Sequence, residues 1–116
     1  MFRSIALAAA VLALGVPIAG LVTVRVAHAS PAAKAQAVSI KMFAFTPQVL
    51  TVTPGTTVTW TNADEDPHTV TANDRSFHSV ALDTDDKFSF TFTKAGEYPY
   101  FCSLHPHMTG KIIVKG

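Results

Sequence analysis

Phe88-Ser89-Phe90-Thr91-Phe92-Thr93 alternates aromatic and hydroxyl side chains without a break. This period of two puts the phenylalanines on one face of an extended chain, which is the pattern of a half-buried β-strand. Lys94-Ala95-Gly96 follows with the composition of a turn, and Tyr98–Phe101 then continues as a second apolar run. These residues therefore predict two strands joined by a hairpin turn.

Similar patterns mark further strands on both sides of this pair, over residues 38–42, 50–53, 57–61 and 112–114. Thr53-Pro54-Gly55-Thr56 is a good turn between two of them, because Pro fixes φ at its second position and Gly tolerates a positive φ at its third. After residue 29 no segment has a convincing helical period. A chain rich in Thr and aromatic residues, with frequent turns, predicts an all-β sandwich or barrel.

The N-terminus has the features of an export signal. Arg3 precedes a long apolar run, Ile5–Val24, and Ala27-His28-Ala29 has the small-residue pattern of a cleavage site. We predict a signal peptide over residues 1–29, a flexible lead-in over 30–37 and one folded domain over 38–116. An uncleaved anchor is the alternative, since about 20 apolar residues can span a bilayer.

The predicted exported part is short and nearly neutral. Its 87 residues are enough for one small domain, and they carry seven Lys or Arg against eight Asp or Glu. This balance excludes a nucleic-acid binder and a polybasic membrane binder. We expect a monomer, in contact with a membrane only if the leader stays uncleaved.

Cys102 is the only cysteine, and it opens the run Cys102-Ser103-Leu104-His105-Pro106-His107-Met108. A lone cysteine in an exported protein is an intermolecular link, a free thiol or a metal ligand. Thiolate, imidazole and thioether form a soft donor set that suits copper, and His68 offers the second imidazole of a His₂Cys plane with a weak axial Met. Zinc also accepts Cys and His, but gains little from a long bond to Met.

Each of these residues has a simpler alternative. Cys102 could be a small buried hydrophobe, since that is the usual state of a free cysteine. A catalytic nucleophile would need a base and an oxyanion hole, for which the sequence shows no Gly-rich turn. Counting chain reversals, however, brings His68, Cys102 and the 103–110 loop to one end of the sandwich. We therefore favour a metal site.

Three segments resemble the cupredoxins, specifically the plastocyanin- and amicyanin-like proteins, over about Val38 to Lys115. They are Pro67–Val70, Tyr98–Met108 and Gly110–Val114, and the Cys-x-x-His-x-x-Met spacing is similar to that of the short amicyanin loop. The resemblance implies a Greek-key β-sandwich of about seven or eight strands. It also implies a type 1 (blue) copper site, with one ion cycling between Cu(I) and Cu(II). The implied ligands are His68, Cys102, His105 and Met108.

Three residues depart from the family pattern or have no assigned role. Many relatives have Asn after the first His ligand, where its side chain ties the two ligand loops together, whereas this chain has Thr69. We expect that hydrogen bond to be weaker or made differently. His78 is interpreted as a loop histidine rather than part of a second metal site. His107 could compete with His105, but we expect it to point to solvent.

The resemblance implies a soluble periplasmic electron carrier, with a c-type cytochrome or a periplasmic dehydrogenase or oxidase as partner. Copper handling or resistance is the alternative function. An oxidase or nitrite reductase is rejected, because additional copper centres would need more histidines. Two acidic groups, Asp64-Glu65-Asp66 and Asp83 with Asp85 and Asp86, are predicted at the copper end. They are either solvated turns or a collar that steers a basic partner.

Overall fold

The computed structural model describes residues 34–116 and, before them, only Gly15 and Gly20. The predicted signal peptide or anchor therefore lies outside the described residues, except for those two glycines. In the described part no helix is long and apolar enough to cross a membrane. Eight strands form: β1 (Ala35–Lys41), β2 (Ala44–Thr46), β3 (Val49–Val52), β4 (Thr56–Asn62), β5 (Thr71–Ala72), β6 (Lys87–Phe92), β7 (Gly96–Cys102) and β8 (His105–Val114).

The strands form two four-stranded sheets, which confirms the predicted all-β sandwich. The first sheet has the order β2-β1-β4-β6 and the second has the order β3-β8-β7-β5. β1 runs parallel to β4, and β3 runs parallel to β8, while the remaining neighbours are antiparallel. Each sheet is therefore mixed, and the chain crosses repeatedly between the two.

Alternating side chains give the sandwich its core. In β4, Val58 and Trp60 are fully buried while the threonines between them are partly exposed. The Trp60 indole stacks on Phe77 with ring centroids 5.9 Å apart and meets Tyr100 edge-on at 5.5 Å. Edge-to-face and offset aromatic pairs add to the free energy gained by burying their area. This aromatic cluster lies in the core that the two sheets share.

The predicted hairpin at Lys94–Gly96 is wrong in one respect. β6 pairs with β4 in the first sheet, whereas β7 pairs with β5 and β8 in the second. The turn therefore carries the chain from one sheet to the other instead of joining paired neighbours. Both strands have an apolar face, and each packs that face on the shared core from its own side. The chain still reverses direction, so the start of β6 and the end of β7 lie toward the same pole.

The start of β1 and the presence of β2 also differ from expectation. Ala35, Gln36 and Ala37 belong to β1 and pair with residues 57–59 of β4, so the predicted flexible lead-in is wrong over these three residues. Their side chains are exposed and show no apolar alternation. These residues are therefore held in the sheet by backbone pairing with β4. The short strand β2 was not predicted.

More of the metal-site end is β-strand than the sequence predicted. The 103–110 segment was predicted as a loop, but β8 begins at His105 and pairs with β7 across a tight turn at Ser103 and Leu104. A register shift between Phe101 and Cys102 accompanies this turn. His68 lies outside the eight strands and forms an isolated bridge with Leu82.

Candidate metal centre

Three potential metal donors converge between the ends of the two sheets. The Cys102 Sγ lies 3.8 Å from the His68 Nδ1 and 3.7 Å from the His105 Nδ1. The three donor atoms all lie within 4.8 Å of one another. His68 and Cys102 are fully buried, whereas His105 is partly exposed. Residues 34 positions apart in sequence are thus brought into a single donor set.

These separations fit a trigonal metal site. Thiolate and imidazole bonds of about 2.3 and 2.0 Å, opened to about 120°, place sulfur and nitrogen about 3.7 Å apart. The observed distances of 3.8 and 3.7 Å match this value closely. A His₂Cys plane can therefore form here without a large movement of the backbone.

His68 is held by three hydrogen bonds to two residues. Its backbone exchanges two hydrogen bonds with Leu82, with N to O distances of 3.1 and 2.7 Å. Its Nε2 lies 2.8 Å from the Asp64 Oδ2, which leaves Nδ1 free to face Cys102. A carboxylate on the second nitrogen fixes the tautomer and orientation of a metal-binding imidazole.

Asp64 also organises the loop that covers the site. Its two carboxylate oxygens accept the backbone N–H groups of Met42 and Phe43 at 2.7 and 3.0 Å. The Phe43 ring then meets His68 and His105 edge-on, with centroids 5.2 and 5.1 Å away. Burial alone raises the pKa of Asp64, but the hydrogen bonds from Phe43, Met42 and His68 outweigh it and lower the pKa below its ordinary value. Asp64 therefore carries a negative charge beside His68.

The loop before His68 depends on a buried amide. Asn62 is fully buried, and its Nδ2 donates to the carbonyl oxygens of Asp66 and Leu82, both at 2.8 Å. Its Oδ1 accepts the N–H of Asp64 at 2.9 Å. A buried amide with all these partners satisfied stabilises one loop geometry.

Thr69 ties the two ligand segments together, so the departure from Asn does not break the link. Its backbone N–H donates to the Cys102 Sγ at 3.3 Å. Its Oγ1 accepts the N–H of Ser103 at 2.7 Å. The expectation that this link is made differently is therefore confirmed.

The remaining candidate ligands, Met108, His107 and His78, differ in burial and in their position relative to the three donors. Met108 is buried, with 5% of its surface exposed, and lies close to the three donors. It shares a small cavity wall with Phe43, which itself contacts both imidazoles. His107 is exposed, as expected, and His78 lies outside the donor set.

The residues that sequence reasoning missed are Asp64 as a partner of His68, Asn62 and Phe43. Asp64 was assigned only to an acidic group, although its four-residue spacing from His68 was visible. Asn62 and Phe43 had no comparable local signal, since their contacts depend on how β1, β4 and the 63–67 loop meet.

Replacing Asp64 with Asn should raise the reduction potential of the metal-loaded protein. The substitution removes a negative charge beside His68, and it places an amide NH₂ against the backbone N–H groups of the 42–43 segment. Loss of a carboxylate partner of a metal-binding imidazole typically lowers metal affinity about 10- to 100-fold. Copper titration and potentiometry measure both effects. Asp66→Asn is the matched control, because it removes the same charge from an exposed side chain two positions away. Equal changes in copper affinity and reduction potential in the two variants would contradict the role of Asp64.

Comparison with known proteins gives a consistent result. The family model described as "Cupredoxin-like domain" matches residues 14–114. The chain is 40% identical to an amicyanin from Paracoccus versutus over 96 residues, covering 78% of this chain and 72% of that protein. It is 34% identical to a chloroplastic plastocyanin from Tetradesmus obliquus over 111 residues, covering 79% and 77% of the two chains.

A solved structure shows the same fold. The structure titled "Novel Purple Cupredoxin from Nitrosopumilus maritimus" superposes with a TM-score of 0.67 at 33% identity, covering 69% of this chain and 99% of that one. The predicted resemblance is confirmed, and copper is the cofactor that this donor set and its relatives support. By sequence, fold and the arrangement of its donors, the chain belongs to the cupredoxin family.

Proposed function

We propose that the chain binds one copper ion through His68, Cys102, His105 and Met108 and carries single electrons between redox proteins. The observation that carries this proposal is the convergence of one cysteine sulfur and two imidazole nitrogens within 4.8 Å of one another. Copper held by such a set alternates between Cu(I) and Cu(II). The chain's own contribution is to keep the donors in place through both states.

The described contacts support such a rigid frame. His68 is fixed by Leu82 and Asp64, and the Cys102 sulfur receives the N–H of Thr69. A hydrogen bond to the thiolate stabilises its negative charge and reduces its donation to the metal. Because the protein itself supplies these contacts, electron transfer requires little rearrangement of the protein.

His105 is the proposed exit for the electron. It is the one partly exposed member of the set, while His68 and Cys102 are buried. Phe43 and Leu104 beside it are 49% and 50% exposed. An apolar rim around an exposed ligand lets a partner approach closely while excluding water.

Copper titration of the full chain tests the proposal. An electron carrier should give one equivalent of tightly held copper, an intense visible thiolate-to-Cu(II) band, a reversible potential and fast electron exchange with a redox protein. Rapid release of copper to a competing chelator, with slow electron exchange, would instead favour copper handling. We propose a periplasmic location and a redox-protein partner, such as a c-type cytochrome, and no enzymatic activity. A multicopper reaction would require further histidine clusters, and the described residues contain no other such group.

Met108 is proposed as the weak axial ligand, so Met108→Gln should keep copper bound but lower the reduction potential. The neighbouring exposed histidine offers a control, His107→Gln, which should change neither property. Potentiometry and copper titration are the measurements. Loss of copper binding in Met108→Gln would show that Met108 is needed to hold the metal.

The two acidic segments lie next to each other at the copper end. The Asp85 N–H donates to the carbonyl oxygen of Asn62 at 2.7 Å, and the Thr84 hydroxyl donates to that of Asp64 at 2.7 Å. The structure removes Asp64 from the proposed collar, because both of its oxygens are used within the protein. The exposed members whose carboxylates have no partner within residues 34–116 are Glu65, Asp66, Asp83 and Asp85, since Asp86 accepts the N–H of Asp83.

We expect these carboxylates to speed association with a cationic redox partner. Exposed charges act over a Debye length of about 8 Å at physiological ionic strength, so the rate should fall as salt is added. Neutralising Glu65 and Asp66 together should flatten this dependence in stopped-flow electron transfer. The matched control neutralises Asp74 and Glu97, two exposed carboxylates outside the collar. The same salt slope in both double variants would overturn the steering role.

A further inference from the structure

A donor-rich cavity opens beside the copper site without belonging to it. Its volume is about 330 Å³, and it is lined by Thr71, Arg75, His78, Ser79 and Ser103. The lining offers a guanidinium, an imidazole and three hydroxyl groups, and no described residue contributes a carboxylate to it. Guanidinium and hydroxyl groups together match the acceptor oxygens of an oxyanion.

A tight turn holds the basic residues at this cavity. The N–H of Ala72 donates to the Phe77 carbonyl at 2.9 Å, and that of Arg75 donates to the Ala72 carbonyl at 3.0 Å. His78 then bridges back to Thr71. Buried Phe77 anchors the turn in the core. The position of Arg75 is thus set by the fold rather than by a flexible terminus.

The guanidinium of Arg75 is available to a ligand. Within residues 34–116 it forms no ion pair and no side-chain hydrogen bond. The nearest acidic residue in sequence is Asp74, and its carboxylate accepts the N–H of Ser76 at 2.9 Å. The Ser79 Oγ accepts the N–H of Val70 at 2.8 Å, which leaves its own proton free to donate.

The cavity is connected to the Cys102 thiolate through hydroxyl groups. The Thr69 Oγ1 lies 2.7 Å from the Ser103 Oγ, 3.2 Å from the Thr71 Oγ1 and 4.0 Å from the Cys102 Sγ. Thr69 has one hydroxyl proton, which can point toward the sulfur or toward its neighbours. If the Ser103 and Thr71 hydroxyls donate into the cavity, their oxygens become the acceptors for Thr69.

We propose that this cavity binds a small oxyanion, such as inorganic phosphate, and that the bound anion lowers the reduction potential of the copper site. Arg75 and His78 supply the charge-assisted contacts, while Ser79, Ser103 and Thr71 supply hydroxyl donors. The bound anion turns the Thr69 hydroxyl away from the thiolate and adds negative charge nearby, and both effects favour Cu(II). The effect on potential rests on the proposed copper function, whereas anion binding does not.

Binding is tested first on the copper-free full chain. Phosphate replaces chloride at constant ionic strength and pH while amide chemical shifts are followed by NMR. We expect saturable shifts at residues 75–79 and 103, with affinity at least about tenfold weaker in Arg75→Gln. Lys94→Gln is the charge-matched control and should bind like the original chain. Non-saturating shifts, or equal weakening in the two variants, would overturn the site.

The coupling is tested on the copper-loaded chain by potentiometry over the same titration. The potential should fall and then level off at the phosphate concentration that saturates the NMR shifts, since ligand binding and redox state are reciprocally linked. Thr69→Val, which removes the hydroxyl but keeps the backbone N–H, should reduce this fall while phosphate still binds. If phosphate binding is saturable but the reduction potential does not change, the coupling is overturned and the anion site is not. A chain that binds phosphate but gives no blue copper site would contradict the proposed function while leaving the anion site in place.

Discussion

Cys102→Ser is expected to abolish the visible band of the copper-loaded protein and most of its copper affinity. The band requires charge transfer from a thiolate to Cu(II), and a serine hydroxyl is neither a thiolate nor a soft ligand. Loss of an outer-shell partner costs about 10- to 100-fold in metal affinity, so loss of the central ligand should cost more than about 100-fold. Visible absorption and copper competition titration are the measurements.

The serine variant should still fold, which makes its result interpretable. The Cys102 sulfur accepts the N–H of Thr69 at 3.3 Å, and a serine oxygen can accept the same hydrogen bond. Circular dichroism of the copper-free variant checks that the sandwich is intact. His107→Ala is the control for changes within the same segment, and it should remain blue because His107 lies outside the donor set. A folded serine variant that stays blue would end the assignment of Cys102.

The strands could be predicted because the side-chain pattern that marks a strand is local in the sequence. In β4 and β6 the apolar side chains are more buried than the polar ones between them, with a period of two, and this pattern is visible without knowing the partner strand. β2 has only three residues and one buried side chain, which is too little for a period to appear. The start of β1 depends on backbone pairing with β4, and no side-chain pattern reports it.

The assignment of strands to sheets could not be read from the turn at Lys94–Gly96. A turn sequence specifies that the chain reverses, but not whether the next strand pairs with its neighbour or crosses the core. Both outcomes require the same alternating strands. The predicted convergence of His68 and Cys102 survived this error, because it depended on strand direction and not on strand pairing.

The metal donors were predictable for a different reason from the groups around them. Cys102, His105 and Met108 are close in sequence and have unusual donor chemistry, so their spacing carries the signal. Asp64 contacts Met42 and Phe43 from 22 and 21 positions away, and carboxylates near turns are common. Its role emerges only when the ends of β1 and β4 are placed side by side.

Gly110→Ala is expected to destabilise the copper-free protein by about 1–3 kcal/mol or more. A Cβ added to Gly110 would overlap both the Cζ and the hydroxyl oxygen of Tyr100. Tyr100 is only 1% exposed and packs edge-on against Phe45 and Trp60, with centroids 4.7 and 5.5 Å away. These contacts restrict the ring, so either the ring or β8 must shift to relieve the overlap.

Chemical denaturation of the copper-free chain measures this cost, since bound copper would add its own stabilisation. Thr109→Ala is the control on the same strand, and as an exposed position it should change the free energy of unfolding by only about 0.5 kcal/mol. If Gly110→Ala lowers the free energy of unfolding no more than Thr109→Ala does, the predicted overlap is contradicted. The overlap with Tyr100 is isolated by a double-mutant cycle with Tyr100→Leu, whose shorter side chain leaves room for the new methyl group. The double variant should be more stable than the sum of the two single changes predicts, because the cavity left by one is partly filled by the other.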